Sequence, residues 1–350
     1  MPNSNIHKNP VAEPSAWKSA DYIEDLSWIE TWTDAELAEI NQALRAAQRD
    51  KLPWHAIDRH QFNLPITGPH LDRVAHELEN GRGFVLLRGL PVEKYSLDEV
   101  RIIYWGLGSY LGEGVAQNNK GHLIASVKDM GADYNDPNSR GYVSHNRLTP
   151  HCDPTDVVGL LCYRKPLSGG TSSIASSMAI FNELLKEHPE YLDVVFRGYR
   201  YNLRGEGATG KIDEVTFNKI PIFSYFDNRL SCRFNGNMIR TAPELSGEDL
   251  TAEEITVIDY IEQTALSPKF RLDMTMQLGD IQFLCNHSIV HTRSEFVDGE
   301  SKDQKRHLLR LLLYLHQRRK LEPVFADRYN TGPRGGCAIM VPPEQREYAS

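Results

Sequence analysis

The sequence predicts a mainly β domain with helical cover, and three features carry that expectation. From about residue 140 onward short β-like runs recur, each bounded by Gly, Ser or Pro: Asp156-Val-Val-Gly-Leu-Leu-Cys-Tyr163, Thr171-Ser-Ser-Ile-Ala-Ser176, Ile281-Gln-Phe-Leu-Cys285 and Leu308-Leu-Arg-Leu-Leu-Leu-Tyr-Leu315. Helical periodicity dominates the stretch before them. No internal repeat or low-complexity linker divides the chain. Short strands with small-residue corners and helices outside point to an antiparallel barrel or sandwich.

Residues 1–20 are polar and rich in Pro and Asn, and are expected to form a flexible tail. Residues 21–350 are expected to form one domain, with the β core over about 140–320 and a helical insert over about 180–270. The first helix starts at Thr33-Asp34, with Leu37, Ile40 and Leu44 at helical spacing. A second runs from about Gly68, with Leu71, Val74, Ala75 and Leu78 on one face. Gly81-Arg-Gly83 ends it, Phe84-Val-Leu-Leu-Arg88 reads as a buried strand, and a third helix spans 96–111. Helices at 179–186 and 252–264 interrupt the later strands.

Of the 350 residues 40% are hydrophobic and 25% charged, as in ordinary globular proteins. A net charge of −8 argues against non-specific nucleic-acid binding, which needs a basic face. Cys152, Cys162, Cys232, Cys285 and Cys337 include no CxxC pair, so neither a disulfide framework nor a zinc ribbon is expected. No apolar run approaches the length of a membrane span. A cytoplasmic protein acting on a small molecule is the expectation, with no nucleic-acid or membrane partner; a homo-oligomer is left open.

Two His-x-Asp pairs stand out. A ferrous site that activates dioxygen needs two imidazoles and one carboxylate on one face, which leaves the other positions for substrates. His-x-Asp on a strand edge supplies two of these, because residues i and i+2 point the same way. His70-Leu-Asp72 lies in a helix, where that spacing does not share a face. His151-Cys-Asp153 precedes an apolar strand and is the better pair. Further on, Gly279-Asp-Ile-Gln-Phe-Leu-Cys-Asn-His-Ser-Ile-Val-His291 offers His287 and His291 as a third ligand, on equal terms by residue chemistry alone.

Taken together these pieces resemble the taurine/2-oxoglutarate dioxygenase family, which includes the 2,4-dichlorophenoxyacetate oxygenases. The resemblance covers about residues 80–316. It runs in order through Gly83-Phe-Val-Leu-Leu-Arg-Gly-Leu-Pro91, His151-Cys-Asp153, Ser168-Gly-Gly-Thr-Ser172, Gly279-Asp280, Asn286-His287, His291, and Arg306 with Arg310. It implies a double-stranded β-helix (jelly-roll) core, iron(II), 2-oxoglutarate as cosubstrate and dioxygen. It selects His291 over His287 as the third ligand beside His151 and Asp153. It also implies that Arg306 pairs with the distal carboxylate of 2-oxoglutarate, a planar fork meeting a carboxylate. The family's hydroxyl partner for that carboxylate falls at Ser172, with Thr171 adjacent.

The implied chemistry oxidises a small organic substrate, by hydroxylation in the simplest case, with release of succinate and carbon dioxide. Arg310, four residues after Arg306, and Arg147, four before His151, suggest an anionic substrate. Asn118, in Gln117-Asn-Asn119, is a further candidate polar contact. Loops at 204–207 and 235–240 are candidates for a lid. Two rivals remain: a cupin-type metal enzyme that does not use 2-oxoglutarate, in which Arg306 has no role, and a non-catalytic metal-bound binding module that releases no succinate.

Overall fold

The computed structural model describes residues 6–131, 144–334 and 345–349; Cys337 and the first residues of the expected core, 140–143, lie outside them. Two sheets stand face to face. The larger runs in the order Ile29–Thr31, Phe84–Arg88, Ile281–Cys285, Val157–Arg164, His307–Leu315 and Gly112–Gly114, with Ile124–Val127 also paired to His307–Leu315. The smaller has the order Leu272–Met274, Ser172–Ser176, Ile289–Arg293 and Leu148–His151. In both sheets every pairing is antiparallel except Ile29–Thr31 with Phe84–Arg88.

Strand alternation sorts the apolar residues into three layers. Val85, Leu87, Leu161, Ile281, Phe283, Leu309, Leu311 and Leu313 face outward onto the helices Asp34–Asp50, Gly68–Asn80 and Leu97–Leu111. Phe84, Leu86, Val158, Leu284 and Leu312 face inward and meet Ile174, Leu272, Met274 and Ile289 of the smaller sheet. On that sheet's far side Ala175 and Val290 pack against the insert. Both faces of the large sheet are therefore buried. That is why Leu308–Leu315 reads as a nearly continuous apolar run, not as alternation.

The helices start where their caps dictate. Thr33, Ser96 and Thr251 each accept a hydrogen bond from the backbone N–H three residues on, and Glu36, Glu99 and Glu254 reach back to close the box. The insert is not purely helical. Beside Ser177–Glu187 and Ala252–Leu266 it contains a hairpin, Phe223–Phe226 with Arg229–Cys232, turned on Asp227 and Asn228, both with positive φ.

Two expectations need correcting. Residues 6–20 do not form a flexible tail. Val11 and Trp17 are buried, the Asn182 side chain brackets Val11 with two backbone hydrogen bonds of 2.7 and 2.8 Å, and Trp17 Nε1 donates to Arg82 O at 2.9 Å. One large aromatic ring outweighs the polar composition around it. Nor is the β core confined to about 140–320, since Ile29–Thr31, Phe84–Arg88, Gly112–Gly114 and Ile124–Val127 all belong to the larger sheet.

The first His-x-Asp pair has a structural role. His70 is buried, with Nδ1 2.7 Å from Glu36 and Nε2 2.7 Å from Glu30. The hydrogen bond to Glu30, helped by Glu36, raises its pKa despite desolvation. The bond from His70 lowers that of Glu30, and burial of Glu36 is outweighed by Thr33 and His70. A raised histidine stabilises fully below its unfolded value, about 6.5, and fades as pH rises through the folded one; lowered carboxylates stabilise above about 4.5 and fade as pH falls. The cluster should therefore contribute most between those values. Thermal unfolding of His70→Ala should differ from wild type more at pH 5.5 than at pH 8.5. An equal difference at both would mean that His70 is neutral in the fold.

Candidate active site

The inner-face positions of the two sheets meet at one end of the sandwich, around a cavity of about 140 Å³. Leu308, Arg310 and Leu312 line it from the large sheet, at every second residue, with Arg306 just before the strand. His291 and Arg293 line it from the small sheet, on the same face as Ile289. His151 is the antiparallel register partner of His291, so the two imidazoles lie side by side with ring centroids 4.3 Å apart. Asp153 follows just past the strand end, its Oδ2 3.7 Å from His291 Nε2.

Each of the three is held from behind. His151 Nδ1 is 2.8 Å from the Thr149 carbonyl oxygen, so that nitrogen carries the proton and Nε2 keeps its lone pair. The backbone N–H of Asp153 donates to Asn286 Oδ1 at 3.0 Å, and Arg310 Nη1 donates to Asp153 Oδ1 at 3.3 Å. Asp153 Oδ2 and His291 Nδ1 are buried with no hydrogen-bond partner among the described residues. Burial pushes the Asp153 carboxyl up, but Arg310, the two histidines and Arg328 hold it below the usual carboxylate value. Burial, with His151 beside it, drives His291 down to about 3, and burial also lowers His151. Two neutral imidazoles and an ionised carboxylate are the protonation states that a cation requires. The three side chains are adjacent and not converged: among the described residues no three His, Cys, Asp or Glu side chains meet as a finished ligand shell.

His287 is elsewhere. It is fully buried outside the cavity wall, with Nε2 2.8 Å from Asp156 Oδ1, and burial pushes its pKa down to about 3. Asp156 also accepts from Leu315 N at 3.1 Å and from Arg334, so the pair ties the corner before His291 to the end of the last strand.

The other expected residues divide. Arg306 lines the cavity, is 5% exposed, lies 5.1 Å over the Phe296 ring, and leaves Nη1 without a partner among the described residues. Burial lowers its pKa to about 10, so it stays charged at neutral pH. Ser172 lines the cavity and donates to Gln282 Oε1 at 3.1 Å. Thr171 lies one position back, outside the wall, with its N–H donating to Ser294 Oγ at 3.0 Å. Arg310 lines the cavity, with Nε donating to Gln117 Oε1 at 2.8 Å besides its bond to Asp153.

Arg147 and Asn118 lie outside the cavity wall. The strand carrying His151 starts at Leu148, so Arg147 sits on the turn before it, exposed and outside the wall. Asn118 is buried but closes its own turn, with Oδ1 accepting from Lys120 N at 3.0 Å and His122 N at 3.3 Å. Its neighbour Gln117 reaches the cavity instead. Both expected lid loops contribute to the wall, through Arg204, Glu206, Asn235, Asn237 and Met238.

Comparison with known proteins bears on this site. The model of the family described as taurine catabolism dioxygenase TauD, TfdA family matches residues 31–312. The chain belongs to that family. As a TauD/TfdA member it is a non-haem iron(II)- and 2-oxoglutarate-dependent dioxygenase. FR-33289 synthase of Streptomyces rubellomurinus (strain ATCC 31215) is 32% identical over 319 residues, which is 90% of this chain and 93% of that protein. The taurine hydroxylase-like protein SAT17 of Stachybotrys chartarum (strain CBS 109288 / IBT 7711) is 28% identical over 309 residues, covering 85% and 78%. An asparagine oxygenase solved with Fe(II), 2S,3S-3-hydroxyasparagine and succinate shares the fold, with a TM-score of 0.66 and 15% identity over 82% of this chain and 93% of that one. So does the non-haem iron oxygenase OrfP with Fe and alpha-ketoglutaric acid, with a TM-score of 0.55 and 17% identity over 82% and 94%. Among the described residues no helix is long and apolar enough to cross a membrane.

Arg293, Gln117 and Arg328 are among the cavity-wall residues that sequence reasoning missed. Arg293 follows His291 by two residues on one strand, and alternation alone could have found it. Gln117 is one residue from the choice made. Arg328 lies after the short helix Pro323–Ala326, in irregular backbone, where no periodicity marks which residues turn inward.

Proposed function

We propose that this TauD/TfdA-family enzyme hydroxylates a small anionic organic molecule, with iron(II) held by His151, Asp153 and His291 and 2-oxoglutarate held by Arg306 and Ser172. The facing sheets are read as a double-stranded β-helix whose open end carries the chemistry. The observation that carries the proposal is the meeting of His151, Asp153 and His291 in one cavity with Arg306. The donor set fits the ion: an Nε2 lone pair on His151, a neutral His291 and a free oxygen on ionised Asp153.

When bound, ferrous iron with 2-oxoglutarate supplies oxidation of a C–H bond by dioxygen, with release of succinate and carbon dioxide. The protein's own part is positioning. The Thr149 carbonyl fixes the tautomer of His151, and Arg310 keeps Asp153 ionised and oriented. Arg306 offers a charged fork in apolar surroundings, and Val127, Leu160, Met276, Leu308 and Leu312 exclude water from the reacting centre. Hydroxylation is supported by the hydroxylated amino acids bound to asparagine oxygenase and to OrfP. An anionic substrate is supported by five arginines in the wall against two carboxylates, Asp153 and Glu206. A ferrous ion and the dianion of 2-oxoglutarate cancel each other and leave that excess in place.

The test is succinate release by the purified chain given iron(II), ascorbate and 2-oxoglutarate in air. Slow release without substrate is expected, stimulated by the true substrate. Iron binding with no succinate from any acid offered would refute the reading and favour a metal enzyme of another kind.

A further inference from the structure

Among the buried arginines of the described residues two are poorly matched, Arg306, assigned above to 2-oxoglutarate, and Arg328. Arg319 meets Glu79 with Nε at 2.9 Å and has three more oxygen acceptors, Leu230 O, Ser231 Oγ and Glu79 O. Arg233 donates to Pro154 O at 2.7 Å and feels Asp156 nearby. Arg328 is only 2% exposed and, like Arg233, has no ion pair among the described residues. Its Nη1 is 3.5 Å from Cys152 O, beyond good hydrogen-bond length, its Nη2 meets only a weak thioether acceptor, Met238 Sδ at 3.5 Å, and its Nε has no hydrogen-bond partner among the described residues. Tyr201 and Tyr329 flank the guanidinium at 5.3 and 5.7 Å, and the residue lines the cavity.

A fully charged group is not left buried and unmatched unless something else meets it. We infer that Arg328 anchors an oxyanion of the substrate, a carboxylate, sulfonate or phosphonate, and so decides which acids the enzyme accepts. The inference rests on the reading of this cavity as the active site. Location supports it, because the Cys152 carbonyl that Arg328 approaches lies between His151 and Asp153 in the chain. An acid held there is beside the reacting centre, while Arg306 keeps its own edge for 2-oxoglutarate. Arg310 donates to Asp153 and Gln117, Arg293 donates to Ser144 O and Asn146 O, and Arg306 is assigned to 2-oxoglutarate, so Arg328 is the buried wall arginine whose described acceptors are weakest. The tyrosine rings give the slot apolar walls, which strengthen a charge-assisted pair. A structural arginine that merely pins the Cys152 carbonyl would show none of this preference for anions.

The experiment uses the full chain, anaerobic, loaded with iron(II) and saturated with 2-oxoglutarate so that Arg306 is occupied. Acetate, methanesulfonate and methylphosphonate are titrated by calorimetry, with acetamide as the neutral control. At least one acid should bind and acetamide should not. Arg328→Gln should weaken that acid by about tenfold or more, with 2-oxoglutarate affinity unchanged, and Arg328→Lys should recover part of the loss. Because the variants could be unstable, crystals of the wild-type chain soaked in selenate supply a second reading. The anomalous peak should lie within about 4 Å of the Arg328 guanidinium. No acid binding to the loaded wild type, equal binding by Arg328→Gln, or a peak only elsewhere would each overturn the inference. Failure of the wild type to bind 2-oxoglutarate would instead strike the proposed function, so the two failures are distinct.

Discussion

His291→Ala should lose ferrous iron almost completely, while His287→Ala, four residues away, should keep it. Loss of outer hydrogen-bond partners alone typically weakens a metal site by about 10–100-fold, so removing one of three protein donors should exceed about 100-fold. His291 faces His151 across the strand pair and leans toward Asp153, and nothing else in the cavity wall offers an imidazole. Asp153→Ala and His151→Ala should behave alike. His287→Ala removes a buried 2.8 Å bond to Asp156 and the ring itself. Its cost should fall on stability, at about 2–4 kcal/mol for the lost bond and the cavity together. His70→Ala and Asp72→Ala should leave iron in place, since His70 is bound by Glu30 and Glu36 and Asp72 lies 3.6 Å from Arg59. Metal content after anaerobic dialysis, read beside thermal unfolding, separates the two classes. Iron retained by His291→Ala and lost by His287→Ala would reverse the assignment.

Which expected residues reach the cavity wall and which do not has a physical cause. His151, Asp153 and the Arg306, Leu308, Arg310, Leu312 row were legible because strands impose a period of two, which a sequence displays directly. The choice between His287 and His291 was not legible from residue chemistry. It turns on Asp156, 131 positions upstream, which captures His287 in the fold. Arg147, chosen for its place four residues before His151, lies outside the wall because the strand begins one residue later, at Leu148. Asn118 failed by a single position, because turn hydrogen bonding kept it and left Gln117 to face the cavity. In the fold as a whole, helix starts were visible through their capping residues, whereas the ordered segment around Trp17 depends on a distant acceptor, Arg82 O. The hairpin at 223–232 did carry a signal, the Asp227-Asn228 pair, that the helical texture around it obscured.

Arg306→Ala should be nearly as damaging as loss of a metal donor, but to the cosubstrate alone. The guanidinium is buried against Phe296, keeps its charge with a pKa lowered only to about 10, and has an unsatisfied Nη1. Removing one partner of a buried, hydrogen-bonded charge pair costs about 2–5 kcal/mol, which is on the order of 30-fold or more in affinity. Anaerobic calorimetry should therefore show 2-oxoglutarate binding weakened by at least that factor, with iron uptake unchanged. Arg306→Lys should restore only part, because an ammonium cannot match both carboxylate oxygens at once. Ser172→Ala should cost about 1 kcal/mol, one neutral hydrogen bond, partly masked because its hydroxyl already has Gln282 as a partner. Thr171→Ala should change nothing, since that residue lies outside the wall. The ordering of the four variants is the discriminating result. If Arg306→Ala binds 2-oxoglutarate as wild type does, Arg306 is a structural cation and the cosubstrate's carboxylate is held by another of the wall's arginines.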